Sequence, residues 1–485
     1  MRSRNWLGFL GPLSLLLLTL GCYPEPQSNP NITPDDDTKA PAFINFVHAA
    51  TDVPMLDVYI DKQKQAAALD YRKSTGNRQI TPLGHTVELR RAGSAASSPA
   101  LLTANISLLP GSKTLLTAVG RAADVQGPAQ LQLVATTYGT TDPKNVKLRL
   151  LNAVPEAPAI ELLAGVTALT DRAEFAGASG FGTVAQLPAA TKFGLRPAHT
   201  TMELAFVTLP AMATPGSVLT LVALGELSPV SDDAHFFSVS VLDEGSGLLI
   251  DLPLTINENG PQGSLCLVHA ASDAPAVDVV SDKGIKLATN LAYKSASPLV
   301  ELIPGQYTVF VRSAGMMMNA LTVKLKILPA LQWTLLAHGL VVSTKTPLKV
   351  TALPRPQAVQ TGWRLANTLP EAPVLSVTAG KTQLLVGYGQ GSVVQQMALP
   401  QPNMVLRLAD QLQIGLIVTV PKLVADAAQD QLATIVAAGP ITDAMKPPAV
   451  LAVLDNTADP MTAPTVFELM TAPAPMMAVA ASSAR

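Results

Sequence analysis

The chain has 485 residues, 48% of them hydrophobic and 14% charged, which makes it too long for a single core and too apolar for a disordered chain. Its 33 Lys and Arg against 35 Asp and Glu leave a net charge of −2, which excludes the basic surface that nucleic acid requires. Forty prolines and 32 glycines in so apolar a chain point to many short strands with frequent turns, and an aromatic content of 4% weighs against sugar stacking.

The chain opens with a short basic stretch containing Arg2 and Arg4, followed by an apolar run from Trp6 to Leu20. That run is shorter than the roughly 20 residues a membrane-spanning helix needs and suits the apolar region of a secretory signal. It ends in Thr19-Leu20-Gly21-Cys22. This resembles the lipobox of bacterial lipoproteins, with Thr19 where that family favours Leu. The resemblance implies cleavage after residue 21, acylation of Cys22 and anchoring in a membrane by two or more chains. Tyr23 in place of Asp after the cysteine implies the outer membrane of a two-membrane bacterium. Residues 22–41, with five prolines and Asp35-Asp36-Asp37, read as an extended tether. With Cys22 acylated, Cys266 has no disulfide partner; it lies in the apolar run Leu265–Val268 and reads as a buried small hydrophobe.

The rest of the chain is repetitive. His48-Ala-Ala-Thr-Asp52-Val-Pro54-Met-Leu-Asp57 returns as His269-Ala-Ala-Ser-Asp273-Ala-Pro275-Ala-Val-Asp278, and a variant beginning Asn152-Ala-Val-Pro returns as Asn367-Thr-Leu-Pro. The four starts are 104, 117 and 98 residues apart, one domain length each. Copies one and three match, as do two and four, so a two-domain unit was itself duplicated. Each copy continues with an aromatic residue (Tyr71, Phe175, Tyr293, Tyr388), a Pro-containing turn, and an apolar strand ending near Gly120, Gly225, Gly339 or Gly439.

Apolar runs of four to eight residues, period-two alternation and turns every 8–15 positions specify antiparallel β-sandwiches. No sustained helical period follows residue 25. Pro54, Pro158, Pro275 and Pro373 cannot donate to a central ladder and belong at strand starts or edges. The expected organisation is all-β: four immunoglobulin-like sandwiches in tandem over 42–140, 146–256, 263–354 and 361–457, arranged as a rod. They follow a signal peptide (1–21) and tether (22–41), and a low-complexity tail covers 458–485. Short connectors are expected near 141–146, 257–262 and 354–361.

The runs around His269–Val279, Leu291–Ser297, Ile303–Val309 and Trp333–Gly339 resemble the bacterial envelope family known as domain of unknown function 4397. Copies one and three carry the resemblance; copies two and four are divergent. It implies an immunoglobulin-like or transthyretin-like sandwich in secreted and lipid-anchored proteins, and no chemistry.

Two ionisable clusters repeat: His48 with Asp52 and Asp57, and His269 with Asp273 and Asp278. Oxygen and imidazole donors so placed could hold Ca²⁺ or Zn²⁺. The favoured reading is structural, with Asp52 and Asp273 forming Asx-turns before the proline and the histidine bonding locally, because copies two and four keep the frame with Asn and Glu. No Gly-x-Ser-x-Gly, His-Glu-x-x-His, P-loop or dinucleotide fingerprint is present, so neither an enzyme nor a cofactor or metal is expected. Trp333 and Trp363 are expected in the core. Met316-Met317-Met318 is expected to pack on a neighbouring domain, with an adaptable contact patch as the alternative. The expected role is structural or adhesive, through the lipid to the membrane and through the sandwiches to an envelope or extracellular protein or polymer. A ligand- or polymer-binding accessory module is the alternative.

Overall fold

The computed structural model describes residues 40–355, apart from 96, 124–128, 156, 199, 210–212 and 342–346, and beyond residue 361 chiefly the strands from Gly362–Asn367 to Thr471–Pro473. Among the described residues every regular element is a β-strand, and the strands form eight sheets that face one another in four pairs. The first module shows the plan. Its strands are β1 (Ala42–Ala50), β2 (Met55–Ile60), β3 (Gln63–Asp70), β4 (Arg78–Ile80), β5 (Leu83–Arg91), β6 (Leu102–Leu108), β7 (Lys113–Gly120) and β8 (Gln132–Thr137). One sheet runs β4-β1-β7-β8 and the other β3-β2-β5-β6. The third module repeats both orders, from Gly263–His269 to Lys349–Pro354. Pro54 lies just before β2 and Pro275 just before Val277–Ser281, where a missing donor breaks no ladder.

One pairing in each module is parallel. β1 runs parallel to β7, in register from Phe43 opposite Lys113 to Ala50 opposite Gly120. Val146–Asn152 with Val218–Leu224, Gly263–His269 with Gln332–His338, and Gly362–Asn367 with Leu432–Ala438 repeat it. The glycine at the end of the later strand of this pair is dictated by space. Gly120 has φ +91°, and a Cβ there would lie 2.3 Å from the Gln130 carbonyl oxygen; Gly339, at φ +94°, would meet the Pro347 oxygen at the same distance. No side chain fits at either position.

The two sheets of a module differ in what covers them. β5 alternates buried and partly exposed residues, as expected of a strand with one wet face, whereas β1 and β7 are buried almost throughout. The explanation is a second module. Val47, Ala49, Leu115 and Val119 of module one form one cluster with Leu151, Ala153, Val222, Leu224 and Leu242 of module two. Val268, Ala270 and Leu336 of module three meet Ala366, Val436, Leu451 and Val453 of module four in the same way. Modules thus pair face to face through their parallel-containing sheets, which departs from the expected end-to-end rod. Covered on both sides, these strands are apolar throughout and do not alternate.

The paired face also buries charge. Arg149 Nη2 lies 2.8 Å from Glu244 Oε1, Arg149 Nε donates to Thr220 Oγ1 at 2.8 Å, and Thr220 Oγ1 donates to Glu244 Oε1 at 2.6 Å. The Gly139 N–H, between the modules, donates to the other Glu244 oxygen at 2.7 Å. Asn45 and Ser74 of module one donate to the Gly247 carbonyl, and Asn77 to that of Glu244.

Two further expectations are corrected. Residues 458–485 are not all tail: Thr465–Leu469 extends one sheet of module four and Thr471–Pro473 the other, as Leu248–Leu252 and Leu254–Ile256 do in module two. Met316, Met317 and Met318 are 61%, 84% and 81% exposed and pack on no neighbouring module. Between modules two and three, residues 257–262 are largely exposed, held at their start by Asn257, which is buried with its N–H bonded to the Leu204 carbonyl and its amide to that of Glu203.

Glu244→Gln removes the counter-charge of a buried guanidinium and should cost about 3–5 kcal/mol. Replacing the pair together, Arg149→Met with Glu244→Leu, should recover most of that loss. Denaturant unfolding of the three variants checks both outcomes.

Candidate functional site

In the first three modules the repeated motif residues gather where the first strand ends and the chain turns towards the second. His48 is fully buried. Its Nε2 lies 2.7 Å from the Val53 carbonyl oxygen and its Nδ1 accepts the Ala50 N–H at 3.3 Å. A carbonyl can only accept, so the ring is neutral and carries its proton on Nε2. His269 accepts the Ala271 N–H at 3.3 Å in the same way and bonds the Pro275 carbonyl at 3.0 Å, one residue beyond the counterpart of Val53.

Module two explains the Asn variant. Asn152 Oδ1 accepts the Val154 N–H at 3.1 Å and Nδ2 donates to the Pro158 carbonyl at 3.3 Å. The acceptor again serves the N–H two residues on, and the donor the carbonyl at the proline turn. An amide thus reproduces the hydrogen bonding of a neutral Nε2–H imidazole. What the three described copies share is an acceptor for the N–H two residues on and a donor to a carbonyl at the proline turn, not a titratable group. Burial pushes the His48 pKa down to about 4, outweighing the Val53 carbonyl, and it lowers His269 as well.

The aspartates act elsewhere. Asp52 forms no Asx-turn: its carboxylate takes the Ala122 and Ala123 N–H groups, each at 2.7 Å, about 70 residues along the chain. Asp273 does the same for the Val341 N–H at 2.9 Å. Each ties the turn after the first strand to the loop after the seventh, a contact that local sequence cannot reveal. Asp57 accepts the Ala68 N–H and pairs with Lys64 Nζ, both at 2.8 Å. Burial would raise the Asp57 carboxyl; the Lys64 and backbone bonds outweigh it and hold it below the usual range. Asp278 accepts the Gly315 N–H at 2.9 Å and the Asn290 N–H at 2.8 Å, which lower it likewise. Ala68 and Asn290 both adopt left-handed φ at a bulge in the third strand, so these carboxylates fasten a bulge. Among the described residues no three His, Cys, Asp or Glu side chains are placed to hold a metal ion.

A second repeated group escaped the sequence reading. Thr75, Ser179 and Ser297 each accept a first-strand N–H, from Phe46, Leu150 and Leu267, at 2.9–3.0 Å, and donate to the next carbonyl along the chain. Each stands four residues after the repeated aromatic, as does Ser392 after Tyr388. That fixed hydroxyl was the available signal. Tyr71 and Tyr293 set their rings edge-on to His48 and His269 at 5.8 and 5.9 Å. Cys266 and Trp333 are buried. Cys22, Glu156, His199, Ser392 and the side chain of Trp363 lie outside the described residues.

The fold and its repeated turns define a protein of tandem β-sandwich modules. Residues 42–163 and 263–378 match the family model Domain of unknown function (DUF4397), so the chain carries repeats of that domain. Each matched region takes in an odd-numbered module and continues into the second strand of the next. No curated protein matches. Among solved structures the chain is similar to the Bacillus anthracis TIE protein, at 9% identity and a TM-score of 0.13, over 62% of this chain. The chain spans 50% of that protein's length.

A histidine held neutral stabilises the fold fully above its unfolded pKa of about 6.5, and that stability is lost as pH falls towards its folded value. The melting midpoint should therefore fall between pH 6.5 and 4. His48→Asn should keep stability at pH 7 and flatten part of that slope. His48→Ala should cost about 1–3 kcal/mol at pH 7 and progressively less as pH falls below 6.5, because it too lacks the titrating ring. Thermal unfolding as a function of pH separates the three proteins. A chelator should leave the wild-type curve unchanged. A drop that Asp278→Ala abolishes would instead mark a bound cation.

Proposed function

We propose that this protein is a non-enzymatic, lipid-anchored component of the bacterial cell envelope that holds its sandwiches off the membrane for a structural or adhesive role. The observation that carries this reading is the use made of the repeated polar side chains. His48, Asp52, Asp57 and their counterparts spend their hydrogen bonds on backbone groups and on Lys64, so the residues most constrained across copies serve shape. The anchor rests on Thr19-Leu20-Gly21-Cys22 and the proline-rich stretch after it. Face-to-face pairing supports a stiff display unit, since a contact through two covered sheets resists bending more than a linker does. The partner class is an envelope or extracellular protein or polymer, met by loops and sheet edges. A ligand-binding accessory role draws support from the exposed Met316–Met318 tip.

Cys22→Ser should move the protein from the membrane fraction to the soluble fraction of fractionated cells. Retention in the membrane would sink the anchor. A glycan array probed with the full chain should remain blank under the adhesive reading through protein contacts, and bound glycans would favour the accessory role.

A further inference from the structure

Modules one and three have the same topology, so each serves as a reference for the other. In module one four charges cancel in pairs: Lys64 Nζ lies 2.8 Å from Asp57 Oδ2, and Arg90 Nη2 lies 2.8 Å from Glu88 Oε2. Strand registers identify their counterparts. Asp57 stands opposite Arg90 as Asp278 stands opposite Arg312, and Lys64 faces Tyr59 as Lys286 faces Val280. Glu88, two residues before Arg90, is replaced by Phe310, two residues before Arg312.

That replacement alters the balance. Arg312 lies over the Phe310 ring at 5.4 Å, and its Nε donates to Asn319 Oδ1 at 2.7 Å. Asp278 accepts two backbone N–H groups and forms no salt bridge with Lys286 among the described residues. The loop that follows is Gly315-Met316-Met317-Met318, where module one has Gly93-Ser94-Ala95. Asp278, Lys286, Arg312, Met316 and Met317 together line a cleft of about 200 Å³. Its wall carries two cations against one carboxylate that is already hydrogen-bonded, with exposed thioether side chains at the rim.

We propose that this cleft of module three binds an aliphatic carboxylate: the carboxylate meets Lys286 and the free end of the Arg312 guanidinium, and the chain lies along Met316 and Met317. A single surplus positive charge matches a monoanion. The guanidinium presents parallel donors suited to a carboxylate, and unbranched methionines adapt to an alkyl chain as branched side chains cannot. Module one, with its charges cancelled by Glu88 and Asp57, should not bind.

The test is calorimetric titration of monomeric dodecanoate into the full chain. Saturable binding at one site is expected, weakened at least tenfold by Phe310→Glu, which restores module one's carboxylate. Met316→Ser with Met317→Ser, at an exposed loop where folding is not at stake, should weaken it as much. Dodecan-1-ol and dodecyltrimethylammonium should bind at least tenfold more weakly. Bound dodecanoate should also shield Met316 and Met317 from peroxide oxidation, read by mass spectrometry. The proposal is overturned by no saturable binding of dodecanoate, by equal binding of the alcohol, or by unchanged affinity in the methionine variant. Binding to phosphatidylglycerol vesicles without binding of free dodecanoate would overturn it in favour of a membrane contact.

Discussion

Covering a sheet on both faces is the constraint from which the rest of this architecture follows. The sheet that holds β1 and β7 has one face in its own sandwich and the other against the next module, so these two central strands have no wet side and lose their alternation. Polar atoms placed there are costly unless they find a partner inside, and most do, with the Thr117 hydroxyl an exception. Asn45 finds the Gly247 carbonyl, while Arg149 finds Thr220 and Glu244. Arg364, at the position equivalent to Arg149, donates to Thr434 at 2.7 Å in module four. A module whose sheet needs a partner to cover it is naturally duplicated together with that partner. This accounts for the two-module period of the sequence.

The same logic of satisfied backbone governs the conserved-looking turn. A histidine held neutral and an asparagine are interchangeable there because each offers one acceptor and one donor in the same directions. A charged imidazolium has no acceptor and would leave the Ala50 N–H unmet. Asp52 and Asp57 are carboxylates for the corresponding reason: each gathers N–H groups that the ladder leaves over. What differs among the copies lies in what this frame leaves free. The exchange of Glu88 for Phe310 changes a neutral surface into a cationic one without touching the turn.

Much of this was legible in the chain. Four copies, the all-β class, the strand-start prolines and the local bonding of His48 follow from spacing and residue chemistry. The hydroxyl four residues after each aromatic was equally readable and was passed over, because one serine or threonine in a turn-rich chain carries little weight until its partner strand is known. The end of module four is hard to read because the short strand sequence Thr465–Leu469 is embedded between stretches rich in Ala, Pro, Thr and Met. Its likeness to Leu248–Ile256 lies in pairing, not composition.

The sequence by itself determined the period, the strand pattern and the local bonding of the repeated histidine or asparagine, because these depend on neighbours within a few residues. Only the tertiary structure decided that modules pair face to face, that Asp52 serves a loop about 70 residues away, and that the Met316–Met318 tip stands in solvent. An apolar strand reads the same whether its second cover is its own sandwich or another module, and a carboxylate does not declare which distant N–H it will meet. Those choices are made by packing, which brings together groups that the chain keeps apart.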